Sequence, residues 1–238
     1  MRFTLRWLSA QRLPTVMVIM LKNKMTCGHS TPARLAQSPP GARRDTPGKK
    51  KRIGVFHPMS KHEQIDLVTT WQTSNRVTEF FFENLPDELW SKKIPGTPRK
   101  TIRMIAGHVH NARCMWIKMI GKHYAVKVPK SVRRNSVSPA QLLRALRLSN
   151  QGIVDLLSAS LEHGGHLKME IPWSNIPSDA YHFSAYLIAH EAHHRGQIVL
   201  AARQLGFRLS QTHTAGLWQW KLRHKESEKK RARSKAKR

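Results

Sequence analysis

Two histidines four residues apart, His190 and His194, offer the clearest chemistry in the sequence. They lie between Ala180 and Gly206, in a segment that is rich in apolar residues and free of proline, which predicts a helix. Ser178 or Asp179 can cap the start of this helix, and Gly206 can end it. Because an α-helix turns once every 3.6 residues, both imidazoles lie on one face and can bind one metal ion. The alternative is an accidental spacing, but an unpaired polar ring on an apolar helix costs free energy.

His108 is the best candidate for a third metal ligand. Zinc and similar metals usually take three protein ligands and keep one position open for water or substrate. His108 belongs to a stripe of residues that recur every three or four positions in an apolar segment, together with Ile105, Ala112 and Met115. His110 lies about 200° around the same helix and is expected to point elsewhere. A single histidine on such a stripe is more often a hydrogen-bonded core residue, so this assignment depends on the later pair.

These motifs resemble those of the DinB-like (damage-inducible B, YfiT-related) proteins. That family carries one metal-binding histidine in its second helix and a His-x-x-x-His pair in its fourth, often continued as His-Arg-Gly-Gln. The matching segments are GHVHNARCMW around His108 and HEAHHRGQI around His190 and His194, with AARQLG at 201–206 and GLWQW at 216–220. The resemblance covers roughly residues 59–220, and the three histidines with the Arg-Gly-Gln continuation are its most specific part.

The resemblance implies an all-α fold, an up-down-down-up four-helix bundle, with a divalent metal ion, zinc or nickel, on the three histidines. It also implies a cytoplasmic bacterial protein that acts on a small-molecule substrate. The family includes bacillithiol transferases and, on a related fold, a mycothiol-dependent isomerase, so a low-molecular-weight thiol is an expected second cofactor. A homodimer is compatible with the resemblance, and many family members have no assigned reaction.

A divalent metal held by three neutral imidazoles keeps its full charge and an open coordination position. It lowers the pKa of a bound water or thiol towards neutrality. This predicts either hydrolysis of an ester or amide, or transfer of a thiol to an electrophile. Glu191 directly follows a ligand and points about 100° off the ligand face, so it is either a catalytic base or a group that orients a ligand. Arg195 either anchors an anionic substrate or forms a structural ion pair.

The same residues also satisfy His-Glu-x-x-His, the zinc-protease motif, in which Glu191 would be the general base. The extended protease pattern fails because Gln197 occupies the position of its glycine and Leu200 that of its third histidine. The only later glutamates, Glu226 and Glu228, lie in a basic tail. The sequence therefore favours the DinB interpretation.

The sequence predicts four long helices from Met59 onwards, over residues 61–84, 101–121, 139–161 and 180–206. Ser138 and Pro139 suit the N-cap and the first position of the third helix. The connection over residues 161–180 is long for a compact bundle, and we expect it to cover a pocket between the second and fourth helices. No series of strands is predicted, and residues 167–173 form a short extended segment at most.

Charge divides the chain into three parts. The net charge is +28, of which +19 lies in residues 1–58 and 221–238. We expect a disordered basic N-terminal extension at 1–58, the metal-binding domain at 59–220 and a disordered basic tail at 221–238. The apolar run at 13–21 is too short to span a bilayer and lacks a clean signal cleavage site. We favour a true start at Met59, where the helical pattern begins.

The basic ends also allow a non-catalytic function, as a bundle that associates with nucleic acid without sequence specificity. The sequence has no helix-turn-helix spacing, cysteine-based zinc finger or aromatic RNA-binding motif. Such binding would therefore be electrostatic and would weaken steeply with salt. Loss of activity with a chelator would indicate an enzyme, whereas dependence on the tail would indicate a nucleic-acid binder.

Overall fold

The computed structural model describes residues 61–169 and 174–236, and gives only the backbone for residues 61–65, 234 and 235. The predictions made for residues 1–58 (disorder and a start at Met59) and for residues 170–173 lie outside the described residues. Within these ranges the chain is mostly helical, and none of the helices has the length and apolar character required to cross a membrane. The elements are α1 Lys61–Glu83, α2 Asp87–Trp90, β1 Lys93–Ile94, β2 Thr97–Thr101, α3 Ile102–Ile120, a turn of 3-10 helix Gly121–Tyr124, α4 Pro139–Glu162, α5 Ala180–Gln204, α6 Gln211–Gly216 and α7 Trp220–Lys235.

The four predicted long helices are present as α1, α3, α4 and α5, with bounds within one or two residues of those predicted. At the start of α4, the Ser138 hydroxyl accepts from the Gln141 amide and the Gln141 side chain accepts from the Ser138 amide, which is a capping box. At the start of α5 the cap is Asp179 rather than Ser178, and its carboxylate accepts from the His182 amide at 2.9 Å. Gly206, at a φ of +80°, follows the end of α5 as predicted.

The long helices surround a core that is divided into two apolar clusters. The first cluster contains Trp71 of α1 and Phe183 of α5, and the second contains Phe81 and Ile198 of the same helices. Along α1 and α5 the chain passes from the first cluster to the second, whereas along α3 and α4 it passes from the second to the first. Between the clusters, each of these helices contributes buried polar side chains. They are Ser74, Asn75 and Thr78 from α1, His110 and Arg113 from α3, Ser149 from α4, and Glu191 and Arg195 from α5.

The sequence analysis predicted no strands before the second long helix, and this prediction was wrong. β1 and β2 form an antiparallel hairpin, and Pro95 and Gly96 make the turn between them. Gly96 has a φ of +73°, the left-handed conformation that a glycine after proline adopts easily in a tight turn. Pro98 is compatible with β2 because, in a two-stranded hairpin, each strand has an edge that needs no amide donor.

The tail predicted to be disordered is instead helical over its described part, as α7, and it packs against α1. Arg76 Nε donates to Glu226 at 2.6 Å, and Lys230 donates to Glu79. The Arg223 guanidinium lies 4.0 Å from the centre of the Phe80 ring. The prediction failed because composition shows the excess of positive charge on the tail but not the acidic and aromatic side chains that α1 presents to it.

Candidate metal centre

His108 from α3 and His190 and His194 from α5 converge on one point, as predicted. One ring nitrogen from each lies within 4.8 Å of the other two, and the three side chains are half-buried. The Nε2 atoms of His190 and His194 are 3.1 Å apart. Two nitrogens bound to one zinc ion at about 2.1 Å with a tetrahedral angle would be about 3.4 Å apart. The histidine cluster therefore has the dimensions of a site that could hold a metal ion.

The protonation of the three rings also suits a metal. Burial, followed by the neighbouring histidines, lowers the pKa of His108 to about 4, and burial also lowers that of His190 to about 4. Burial lowers the pKa of His194 as well. The rings are therefore neutral at pH 7, and each has a nitrogen lone pair free for a metal. The Nδ1 of His194 donates to Gln197 Oε1 at 2.8 Å, which leaves its Nε2 unprotonated and facing His190.

Glu191, the predicted base or orienting group, lies in the polar layer between the two apolar clusters and is 1% exposed. Its carboxylate accepts from Arg113 Nε at 2.6 Å, from Arg113 Nη2 at 2.8 Å and from Thr78 Oγ1 at 2.7 Å. Burial would raise the pKa of this carboxyl, but the charge and hydrogen bonds of Arg113, aided by Arg195, hold it below its ordinary value. The carboxylate is therefore ionised and fully engaged by its partners.

Arg195, predicted either to anchor a substrate or to form an ion pair, belongs to the same network. It is 7% exposed, and its Nη1 donates to the Thr78 hydroxyl. Sequence reasoning missed Arg113, which also donates to Asn75 Oδ1 at 2.8 Å and stacks over Trp71. One signal was available, because a glutamate on an apolar helix requires a buried cationic partner, and Arg113 lies on the other helix that carries a ligand.

A cavity of about 480 Å³ opens beside the histidine cluster. The connection at 161–180 was expected to cover it, but none of the described residues of that connection lines it. Instead, the β1–β2 hairpin, which directly precedes α3, forms this wall of the cavity. The lining residues are Ile94, Pro95, Thr97, Lys100, Met104, Ile105, His108, Arg134, His194, Gln197, Leu200, Ala201 and Gln204.

His110 is separated from the histidine cluster, as its position on the helix predicted. Its Nδ1 is 3.0 Å from Ser149 Oγ and its Nε2 is 3.1 Å from the carbonyl oxygen of Lys130. The protease alternative also lacks a further ligand in the described chain. Glu226 is engaged by Arg76 and Arg223 on the α1–α7 face, and the three histidines are the only group of ligand-type side chains found close enough for a metal there.

Comparison with known proteins agrees with this geometry. A model of the DinB family matches residues 59–229, which is most of the chain and includes all three histidines. No curated protein and no solved structure matches the chain. The chain therefore belongs to the DinB family.

Proposed function

We propose that this DinB-family protein holds one divalent metal ion, zinc or nickel, on His108, His190 and His194 and is a metal-dependent enzyme for a small molecule. One observation carries the proposal: three neutral imidazoles from two helices meet at one point that opens onto a cavity. When bound, the metal would supply a Lewis acid that lowers the pKa of a water or thiol at its open position. The cavity walls would hold the substrate beside that position.

The order of the apolar clusters supports an up-down-down-up bundle as the scaffold of this site. α1 and α5 run from the first cluster to the second, and α3 and α4 run back. In this arrangement His108 approaches from a helix that runs opposite to the one carrying His190 and His194. Rigid helices on both sides would fix the ligand positions before the metal binds, which favours affinity.

Transfer of a small thiol is the reaction that the polar layer supports best. Hydrolysis of the zinc-protease type uses a glutamate as the base that deprotonates water, and Glu191, the candidate in the motif, already accepts three hydrogen bonds from Arg113 and Thr78. A thiol needs no such base, because its pKa is already near 8.5 and falls further on a metal. We therefore assign Glu191 and Arg195 a positioning role, in which they fix the helix that carries two of the ligands.

The test is metal analysis of protein purified without a histidine tag. We expect about one zinc or nickel ion per chain, with dissociation constants below the micromolar range by calorimetry. His190→Ala should bind no metal, whereas His193→Ala, an exposed neighbour outside the cluster, should bind it normally. A screen of small thiols against an electrophile should then reveal turnover that a chelator abolishes. A wild-type protein that binds no metal at micromolar concentration would overturn the proposal.

A further inference from the structure

We propose that the cavity beside the three histidines binds the carboxylate of an acidic small thiol through Lys100 and Arg134. This inference rests on the proposed function and specifies its substrate class. Both side chains line the same cavity as His108 and His194. The cavity would then bind the sulfur of the ligand at the metal and its acidic group at the two cations.

The charge balance of the cavity favours an anion. Lys100 and Arg134 are the charged side chains of its lining, His108 and His194 are neutral, and none of its lining residues is acidic. Both side chains are exposed, and neither forms an ion pair or a side-chain hydrogen bond with any residue that the structure describes. The cavity therefore holds positive charge that the described protein does not neutralise.

Lys100 lies where a positive charge gives a helix no benefit. It directly precedes Thr101, the N-cap of α3, and the first turn of α3 contains no acidic residue. The N-terminus of a helix carries partial positive charge, so a lysine there is mildly unfavourable for the fold. An anion in the cavity would instead interact favourably with both Lys100 and the start of α3.

Arg134 reaches the cavity because its backbone packs closely against the backbone of α3 at Gly107. Its Cα and Cγ would lie 3.3 and 3.2 Å from a Cβ at Gly107, so a side chain there would push against Arg134. The chain segment that carries Arg134 is also held to α3 two residues earlier. There the Asn111 side chain accepts from the Val132 amide at 2.9 Å and donates to the Val132 carbonyl oxygen at 3.0 Å. Gly107 directly precedes His108, so the close packing of Arg134 on Gly107 places Arg134 next to a candidate metal ligand.

The shape of the cavity limits the ligand to a small molecule. Its volume of about 480 Å³ is typical of sites for metabolites and cofactors. Met104, Ile105 and Leu200 supply apolar wall between the polar groups. A thiol whose carboxylate is separated from the sulfur by a short carbon chain has the required combination of groups.

Cobalt-loaded protein tests the inference directly, because binding of a thiolate to cobalt gives a near-ultraviolet charge-transfer band. The probes are mercaptosuccinate, which carries two carboxylates, and 2-mercaptoethanol, which carries none. We expect the wild-type protein to bind mercaptosuccinate more tightly. Lys100→Gln and Arg134→Gln should each weaken mercaptosuccinate binding about two- to fivefold, the range for exposed ion pairs, and leave 2-mercaptoethanol binding unchanged.

Matched controls lie next to both residues. Arg99→Gln and Arg133→Gln remove exposed cations that do not line the cavity, and neither should alter the preference between the two thiols. Equal affinity for the two probes in the wild-type protein would overturn the inference, and so would a preference that survives in the Lys100→Gln, Arg134→Gln double variant. Both results would leave the proposed function standing.

A metal-free arm separates the two proposals. Succinate titrated into the metal-free protein should shift the amide resonances of Gly107 and Ile105, and the shifts should weaken in the double variant. If succinate binds in this way but the protein binds no cobalt, the proposed function fails and the anion site stands. If succinate produces no saturable shift, the anion site itself is refuted.

Discussion

Replacing Glu191 with glutamine should destabilise the fold while leaving the metal ligands in place. Glu191 and Arg113 are each about 1% exposed at their side chains, and Arg195 is also buried. Removing one member of a buried ion pair costs about 3–5 kcal/mol, because the remaining charge stays out of water without a partner. Here two guanidinium groups would remain, so we expect the upper part of that range. For a domain of this size a loss of about 4–5 kcal/mol corresponds to a decrease in melting temperature of about 8–20 °C.

Denaturation in urea, followed by circular dichroism, measures the cost. Glu162→Gln, at the exposed end of α4, is the matched control and should change stability by less than about 0.5 kcal/mol. Substituting both partners, Arg113→Met with Glu191→Met, leaves the net charge of the layer unchanged. The double variant should therefore be more stable than the sum of the two single losses predicts.

The same variant distinguishes a positioning residue from a catalytic base. If Glu191 only positions α5, Glu191→Gln should bind zinc with nearly wild-type affinity and retain turnover at temperatures where it is folded. A loss of stability below about 1 kcal/mol, combined with abolished turnover, would refute this reasoning and return Glu191 to the role of base. Strict additivity in the double variant would contradict the paired network.

Three further predictions concern pH and the chain ends. The metal-free protein should lose stability as pH falls from 6.5 to about 4. In this window His108 and His190 become protonated in the unfolded chain but stay neutral in the folded one. An equal loss in the His108→Gln, His190→Gln double variant would contradict this. A chain that ends at residue 219 should melt at lower temperature, because Arg76 and Glu79 lose their partners on α7; an unchanged melting temperature would show that α7 contributes nothing. A chain that begins at Met59 should melt at the same temperature as the full chain, and a large decrease would show that residues 1–58 contribute to the fold.

The four long helices could be predicted because their signals are local. Apolar residues at helical spacing, Ser138 before Pro139 and Gly206 after the last apolar turn all act within a few residues of the backbone that they specify. The pairing of His190 with His194 was also predictable, because residues four apart lie on one face of a helix. The convergence of His108 with this pair was predicted correctly, but the argument from a buried apolar stripe was wrong. Met115 of that stripe is 39% exposed, the three histidines are only half-buried, and the buried face of α5 carries Glu191 and Arg195 instead.

The features that were missed depend on contacts between distant segments. Glu191 and Arg113 are 78 residues apart, and Arg76 and Glu226 are 150 apart. A single sequence shows each charge but not its partner, so the basic tail was expected to be disordered. The β1–β2 hairpin was missed for another reason, since its strands are very short and the turn residues Pro95 and Gly96 also suit a simple loop before a helix.

X-ray absorption spectroscopy of the zinc-loaded protein tests the central claim most directly, because it counts the ligands around the metal. The account predicts three imidazole nitrogens at about 2.0–2.1 Å and one further light atom. His108→Gln should reduce the imidazole count to two, and His193→Ala should leave it at three. Two or fewer imidazoles in the wild-type protein, or a sulfur ligand from the chain at about 2.3 Å, would contradict a site built from His108, His190 and His194.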